Sequence, residues 1–230
     1  MKLMGIQKLT LLDFPGQMAC TVFTGGCNFL CPFCHNASLV TGEQSEAVVT
    51  EEEFFAFLEK RKGVLEGVAI TGGEPTLQPD LEEFIKKIKD MGYLVKLDTN
   101  GFLPKVLKNL VEKNLVDYVA MDIKNSKASY GKTVGIENIN LKKIEESVDF
   151  LMEGKVDYEF RTTLVRELHT PQDIVEIGEW IKGCKRYFLQ GFKDSGDILC
   201  SGLNGYDKKE MESLLNLLKS TIPTAEIRGL

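Results

Sequence analysis

Cys27, Cys31 and Cys34 fall within eight residues of a 230-residue chain, inside the run Thr24-Gly25-Gly26-Cys27-Asn28-Phe29-Leu30-Cys31-Pro32-Phe33-Cys34-His35-Asn36. Thiolates are the natural ligands of iron–sulfur clusters, and a tight loop of three can wrap one face of a cubane. A closed structural metal site uses four ligands, so a triplet leaves one position for something else. The competing reading is a zinc ion with Cys20 or His35 as fourth ligand. Against it, Cys20 falls within an apolar, β-branched run, and His35 sits directly beside Cys34, where joint ligation is strained. Zinc sites also favour two separated pairs over one triplet. The remaining cysteines, Cys20, Cys184 and Cys200, are scattered and read as ordinary buried or surface thiols.

Other polar groups recur where strand-like runs end. Thr71-Gly72-Gly73-Glu74-Pro75 closes one run, and its two glycines let backbone approach a ligand closely. Read alone it is a turn. Asp98-Thr99-Asn100-Gly101 closes the next run and Asp122-Ile123-Lys124 the one after; Arg161 lies in a fifth, and Gln190 ends a sixth. Each alone could be a turn or a solvated charge. Together they line the C-terminal rim of a parallel sheet, where such folds build their sites. Asp98 and Asp122 would then lie close together near a ligand. Their repulsion in a partly dry site needs an offset: Lys124, Arg161, or a small cation held between the two aspartates.

The elements that must position these residues alternate along the chain. Expected strands are Met18–Thr24, Val68–Thr71, Tyr93–Leu97, Tyr118–Ile123, Tyr158–Val165 and Arg186–Gln190, with a short closing strand at Ala225–Arg228. Between and after them, helical periodicity covers a segment capped by Thr50 and Glu53, about Asp80–Asp90, Pro104–Lys113, Leu141–Met152, Gln172–Ile181 and Lys208–Lys219. Six strand–helix units predict an α/β fold, a partial (β/α)6 barrel with parallel strands and crossover helices. A full eight-unit barrel typically needs ~250 residues, so the reading is a single domain over residues 1–230. The longest irregular stretches are residues 35–50 and 191–206, both following a strand. A formal net charge of −6 argues against nucleic-acid binding. No apolar run reaches the ~18 residues that would span a membrane, and nothing resembles an export signal. The expected location is the cytoplasm, where clustered thiols more often hold metal than pair as disulfides.

With these residues in place, C-x3-C-x2-C with an aromatic before the last cysteine resembles the signature of the radical S-adenosylmethionine (SAM) superfamily. The resemblance implies a [4Fe–4S] cluster on Cys27, Cys31 and Cys34, with the amino and carboxylate groups of SAM on the fourth iron. One electron then cleaves the sulfonium and gives a 5′-deoxyadenosyl radical that abstracts a hydrogen atom. It further implies Phe33 near the adenine and Gly72, Gly73 and Glu74 at the methionine amino group. Asp98, Thr99, Asn100, Asp122, Lys124, Arg161 and Gln190 complete the expected cofactor contacts. Leu12-Asp13-Phe14-Pro15-Gly16, D-T-N-G and D-x-K narrow the resemblance to the glycyl-radical-enzyme activating enzymes, most of all those of anaerobic ribonucleoside-triphosphate reductase. That implies a glycyl radical enzyme as partner, with pyruvate formate-lyase the nearest rival to the reductase, and an electron donor of flavodoxin or ferredoxin type. A small-molecule substrate, as in the similar 7-carboxy-7-deazaguanine synthases, is the alternative.

Overall fold

The computed structural model describes residues 1–41, 48–194 and 196–229. The core is one eight-stranded sheet whose strands follow chain order: β1 (Leu3–Thr10), β2 (Ala19–Thr24), β3 (Gly67–Gly72), β4 (Leu94–Thr99), β5 (Tyr118–Asp122), β6 (Asp157–Leu164), β7 (Tyr187–Gly191) and β8 (Glu226–Arg228). All neighbours from β2 to β8 are parallel. Among the described residues β1 and β8 do not pair with each other, so the barrel is open.

Helices α1 (Ala37–Thr41), α2 (Glu51–Lys60), α3 (Leu81–Asp90), α4 (Pro104–Glu112), α5 (Tyr130–Val134), α6 (Leu141–Met152), α7 (Pro171–Trp180) and α8 (Lys208–Leu218) form the connections. A capping box at Thr50 starts α2, and others at Thr170 and Asp207 start α7 and α8; in each the cap side chain accepts from the backbone N–H three positions on, and the acidic side chain there accepts from the cap's own N–H. The apolar stripe of α3 (Leu81, Phe84, Ile85, Ile88) is wholly buried against the sheet. No helix among the described residues is long and apolar enough to cross a membrane.

Besides the short helix α5, which the sequence reading did not include, two features depart from it. The first is β1, an antiparallel edge strand absent from the expected set. Its Leu-Met-Gly-Ile-Gln-Lys-Leu-Thr sequence is buried at the ends and exposed in the middle, so it shows no strict alternation. The second is short α1, which follows the cysteine loop inside the stretch expected to be irregular; the part of that stretch at residues 42–47 lies outside the described residues.

The segment between β1 and β2 closes the N-terminal end of the barrel. Phe14 is buried against Tyr118, with ring centroids 6.2 Å apart, and Thr21 Oγ1 donates to Asp13 Oδ2 at 2.6 Å. A Cβ on Gly67 would stand 2.8 Å from the Phe14 ring, so β3 must begin with glycine there. The opposite, C-terminal end carries the polar residues.

Candidate active site

The cysteine loop leaves β2 at Thr24 and is tied down by several separate elements. Gly73 N donates to Thr24 O at 2.9 Å and Glu74 N to Gly26 O at 2.8 Å. Gln78 Nε2 donates to Gly25 O at 2.8 Å, and Asn36 Nδ2 reaches Gly72 O at 3.1 Å. These approaches are close enough to demand glycine: Gly72 has φ of +120°, and a Cβ on Gly73 would lie 1.9 Å from Gly26 O. On the far side Leu30 N donates to Val134 O at 2.9 Å and Cys200 N to Pro32 O at 3.0 Å. Asp197 accepts from Ser38 N at 3.1 Å and Ser38 Oγ at 2.8 Å, holding the first turn of α1.

Cys27, Cys31 and Cys34 line one cavity together with Phe29, Phe33, Gly72, Gly73, Glu74, Asp98, Thr99, Asn100, Asp122, Lys124 and Arg161. Thirteen of the fourteen residues singled out in the sequence therefore converge. Gln190 does not line this wall; it sits on β7 beside Arg228 of β8. Burial pushes the Cys27 thiol up to about 11 and the Cys31 thiol up to about 12, so in the metal-free chain both keep their protons at neutral pH. Phe29 N–H points at Cys27 Sγ at 3.4 Å, and Asn100 Nδ2 lies 3.9 Å from the same sulfur.

This donor set fits an iron–sulfur cluster better than a zinc ion. Among the described residues no three histidine, cysteine or carboxylate side chains close around a single-ion position. Of the two proposed fourth zinc ligands, Cys20 is wholly buried within β2, and the His35 ring, at the cavity wall, is stacked on Phe192 with centroids 5.3 Å apart. Three thiols around a common hollow, with amide donors aimed at sulfur, match what a multi-iron cluster needs.

Sheet register builds the charged wall. Asp122 on β5 pairs with Arg161 on β6, and Asp98 on β4 faces the small Ala120, which leaves the guanidinium room to reach across. Arg161 Nε bonds Asp122 Oδ1 at 3.0 Å and its Nη1 bonds Asp98 Oδ2 at 3.3 Å. Lys96 Nζ takes the other Asp98 oxygen, and Lys124 Nζ takes Asp122 Oδ2 at 3.0 Å. Burial alone would raise Asp122, but Arg161 and Lys124 outweigh it and hold the carboxyl at about 2. Burial likewise opposes, and Arg161 and then Lys96 overcome, the effect on Asp98, which is also lowered. Three side-chain cations thus face two carboxylates. The expected small cation between Asp98 and Asp122 is thereby corrected: Arg161, Lys96 and Lys124 supply the counter-charges to these two carboxylates.

Lys96 was not among the expected site residues. Its one sign in the sequence was its place two residues before Asp98, on the same strand face. Thr163, two residues past Arg161, lines the cavity for the same reason, as do Thr71, Asn36 and His35 beside the motifs. Glu74 is only 1 % exposed, and its carboxylate turns into the neighbouring loop. It accepts from Thr76 N at 3.1 Å, Thr76 Oγ1, Thr99 Oγ1 at 2.8 Å and Asn100 N at 2.7 Å, clamping the end of β3 to the end of β4.

An open parallel barrel with three cysteines and this wall at its C-terminal end defines the class, and the family model described as Radical SAM superfamily matches residues 21–218. The chain belongs to the radical SAM superfamily and is an enzyme of that class; membership implies a [4Fe–4S] cluster and SAM. A protein of Methanocaldococcus jannaschii named as a glycyl-radical enzyme activating enzyme is 34% identical over 97% of this chain and 94% of its own length. Streptococcus suis SuiB bound to S-adenosylmethionine shares the fold, with a TM-score of 0.70 at 16% identity, over 90% of this chain and 49% of SuiB. A domain of the pyruvate-formate lyase-activating enzyme of Bacteroides vulgatus gives a TM-score of 0.58 at 17% identity, over 71% of this chain and 99% of that domain.

Proposed function

We propose that this chain is a cytoplasmic activating enzyme that installs a glycyl radical on a partner enzyme, anaerobic ribonucleoside-triphosphate reductase. The observation that carries the reading is the similarity to the M. jannaschii protein, which runs essentially from end to end of both chains. Cys27, Cys31 and Cys34 would hold the cluster. When bound, it supplies the single electron that cleaves the carbon–sulfur bond of SAM, releasing methionine, and a hydrogen atom then passes from a glycine α-carbon to the adenosyl carbon. The radical remains on the glycine.

The residues of this chain bind and shield. Lys124 and Arg161 on the cavity wall suit the carboxylate of an amino-acid moiety, and Asp122 stays ionised beside them. Main chain at Gly72 and Gly73 lines the cavity, where a peptide carbonyl can accept from an amino group. Buried Phe29 and Phe33 keep water from the thiols, protecting a reactive step from quenching. The electron comes from a flavodoxin- or ferredoxin-type donor.

The test is electron spin resonance of the anaerobically reconstituted protein with SAM, reductant and the reductase. A glycyl doublet supports the assignment. A doublet on pyruvate formate-lyase alone would change the partner, and hydrogen transfer only from a small molecule would overturn the activating role.

A further inference from the structure

Lys124 enters the cavity from main chain that has just left the sheet. Ile123 N donates to Arg161 O at 2.8 Å and closes the main-chain pairing of β5 with β6. Beyond that point buried carbonyls need side-chain donors. Thr162 Oγ1 serves Ile123 O at 2.7 Å, and His169 Nε2 serves Lys124 O at 2.8 Å. His169 is 1% exposed and stands behind the cavity wall rather than on it.

The neighbours of this ring fix which nitrogen carries the proton. Val165 N–H donates to Nδ1 at 3.1 Å. Val165 O, 3.2 Å from the same nitrogen, already accepts from Leu168 N at 3.1 Å and His169 N at 2.9 Å. Nε2 faces the Lys124 carbonyl, an acceptor, so it holds the hydrogen and Nδ1 holds the lone pair. Burial keeps the ring below its ordinary pKa, and it is neutral at neutral pH. The same ring meets Phe33 edge to face, with centroids 6.3 Å apart and planes at 75°. One side chain thus touches the main chain that carries Lys124, the main chain just past β6, and the aromatic ring of the cysteine loop.

We infer that His169 is a positioning residue for SAM: with its hydrogen on Nε2 it fixes the main chain of Lys124 and backs the Phe33 ring, so that the lysine and the cysteine loop keep one spacing. This rests on the reading of the cavity as the SAM site. A lysine ammonium rides on a flexible four-carbon stem, so its position depends on where its main chain is held. Lys124 Nζ bonds Asp122 Oδ2 at 3.0 Å, but that partner is two residues away on the same chain and moves with it. His169 comes from the connection between β6 and α7 and supplies an anchor from outside. Misplacing a binding group by about 1 Å can cost roughly 100-fold in a reaction that depends on it.

The test is calorimetric titration of SAM into the oxidised, reconstituted holoenzyme, with no reductant present. H169F keeps a planar ring against Phe33 but donates nothing to Lys124 O, and it should bind SAM about 10-fold more weakly. Affinity is read per loaded site, so a variant that merely folds or loads poorly loses stoichiometry and keeps its affinity. H169Q, whose side-chain amide can again donate to Lys124 O, should bind more tightly than H169F. In the metal-free chain, the nitrogen resonances of the His169 ring should show a neutral imidazole with its hydrogen on Nε2. Equal affinity of wild type and H169F, H169Q as weak as H169F, or a ring protonated at Nδ1 would each overturn the inference. The resonance measurement decides it if H169F fails to fold. Wild type that binds no SAM would overturn the reading of the cavity itself, a failure distinct from equal affinities.

Discussion

Replacing Glu74 by Gln tests the clamp between the second and third polar strand ends. One carboxylate oxygen accepts from Thr76 and Thr99, and the other accepts the Asn100 amide at 2.7 Å. A glutamine can keep the first set by turning its oxygen toward the threonines. Its NH2 then meets the Asn100 N–H, donor against donor. The loss is one hydrogen bond to a charged acceptor, about 1.5–3 kcal/mol, plus about 1–3 kcal/mol for the stranded buried amide. Part is recovered because burial pushes the Glu74 carboxyl up, so the ionised side chain was already costly to enclose. The expected net destabilisation is about 3 kcal/mol. It is measured by denaturant unfolding at matched cluster content, with hydrogen exchange at the Asn100 amide as the local readout. An Asn100 amide protected as in wild type, or a loss under about 1 kcal/mol, would refute the clamp.

Removing the shared counter-charge with Arg161→Leu should destabilise by about 3–5 kcal/mol and weaken SAM binding, since two enclosed carboxylates lose their bridge; wild-type SAM affinity should stay flat across alkali cations and magnesium at fixed ionic strength. Asp122, held at about 2 against an ordinary 3.8, contributes about 2 kcal/mol that is present above pH 3.8 and fades as pH falls toward 2, so wild type and Asp122→Asn should converge in stability on acidification. Asp197→Ala should loosen α1 and lower cluster occupancy, read as iron per chain, because Ser38 loses both of its bonds to that carboxylate. Cys200→Ala should leave cluster and SAM cleavage intact, since that residue touches the loop through its main-chain N–H alone.

The cysteine triplet and the Gly-Gly-Glu and Asp-Thr-Asn-Gly turns were legible because their chemistry is written in adjacent residues. The order of β2 to β7 was legible because strand and helix periods alternate without interruption. What escaped depends on pairing across the sheet. Lys96 looked like one polar residue inside an apolar strand, and only the register that sets Asp98 opposite Ala120 brings Arg161 within reach. Without Lys96, the sequence leaves Lys124, Arg161 and a small cation as alternative counter-charges for the two aspartates. Strand β1 escaped because an edge strand with solvent on one side need not alternate, and Gln190 was placed by its strand end alone.

The bonds that fix the cysteine loop come from very different moments in the life of the chain. The Gly-Gly-Glu turn is available soon after the cysteines are made, but Asp197 lies 159 residues beyond the serine it holds. A nascent chain therefore displays three thiols on a half-anchored loop until most of its length has left the ribosome, domains folding as their segments emerge. Metal loading has a natural clock here: a cluster delivered early meets a loop without its last fastening, and one delivered late meets a finished socket. Chains ending before residue 197 would carry all three ligands yet hold iron poorly, which makes the far end of the sequence a checkpoint for the chemistry written near its beginning.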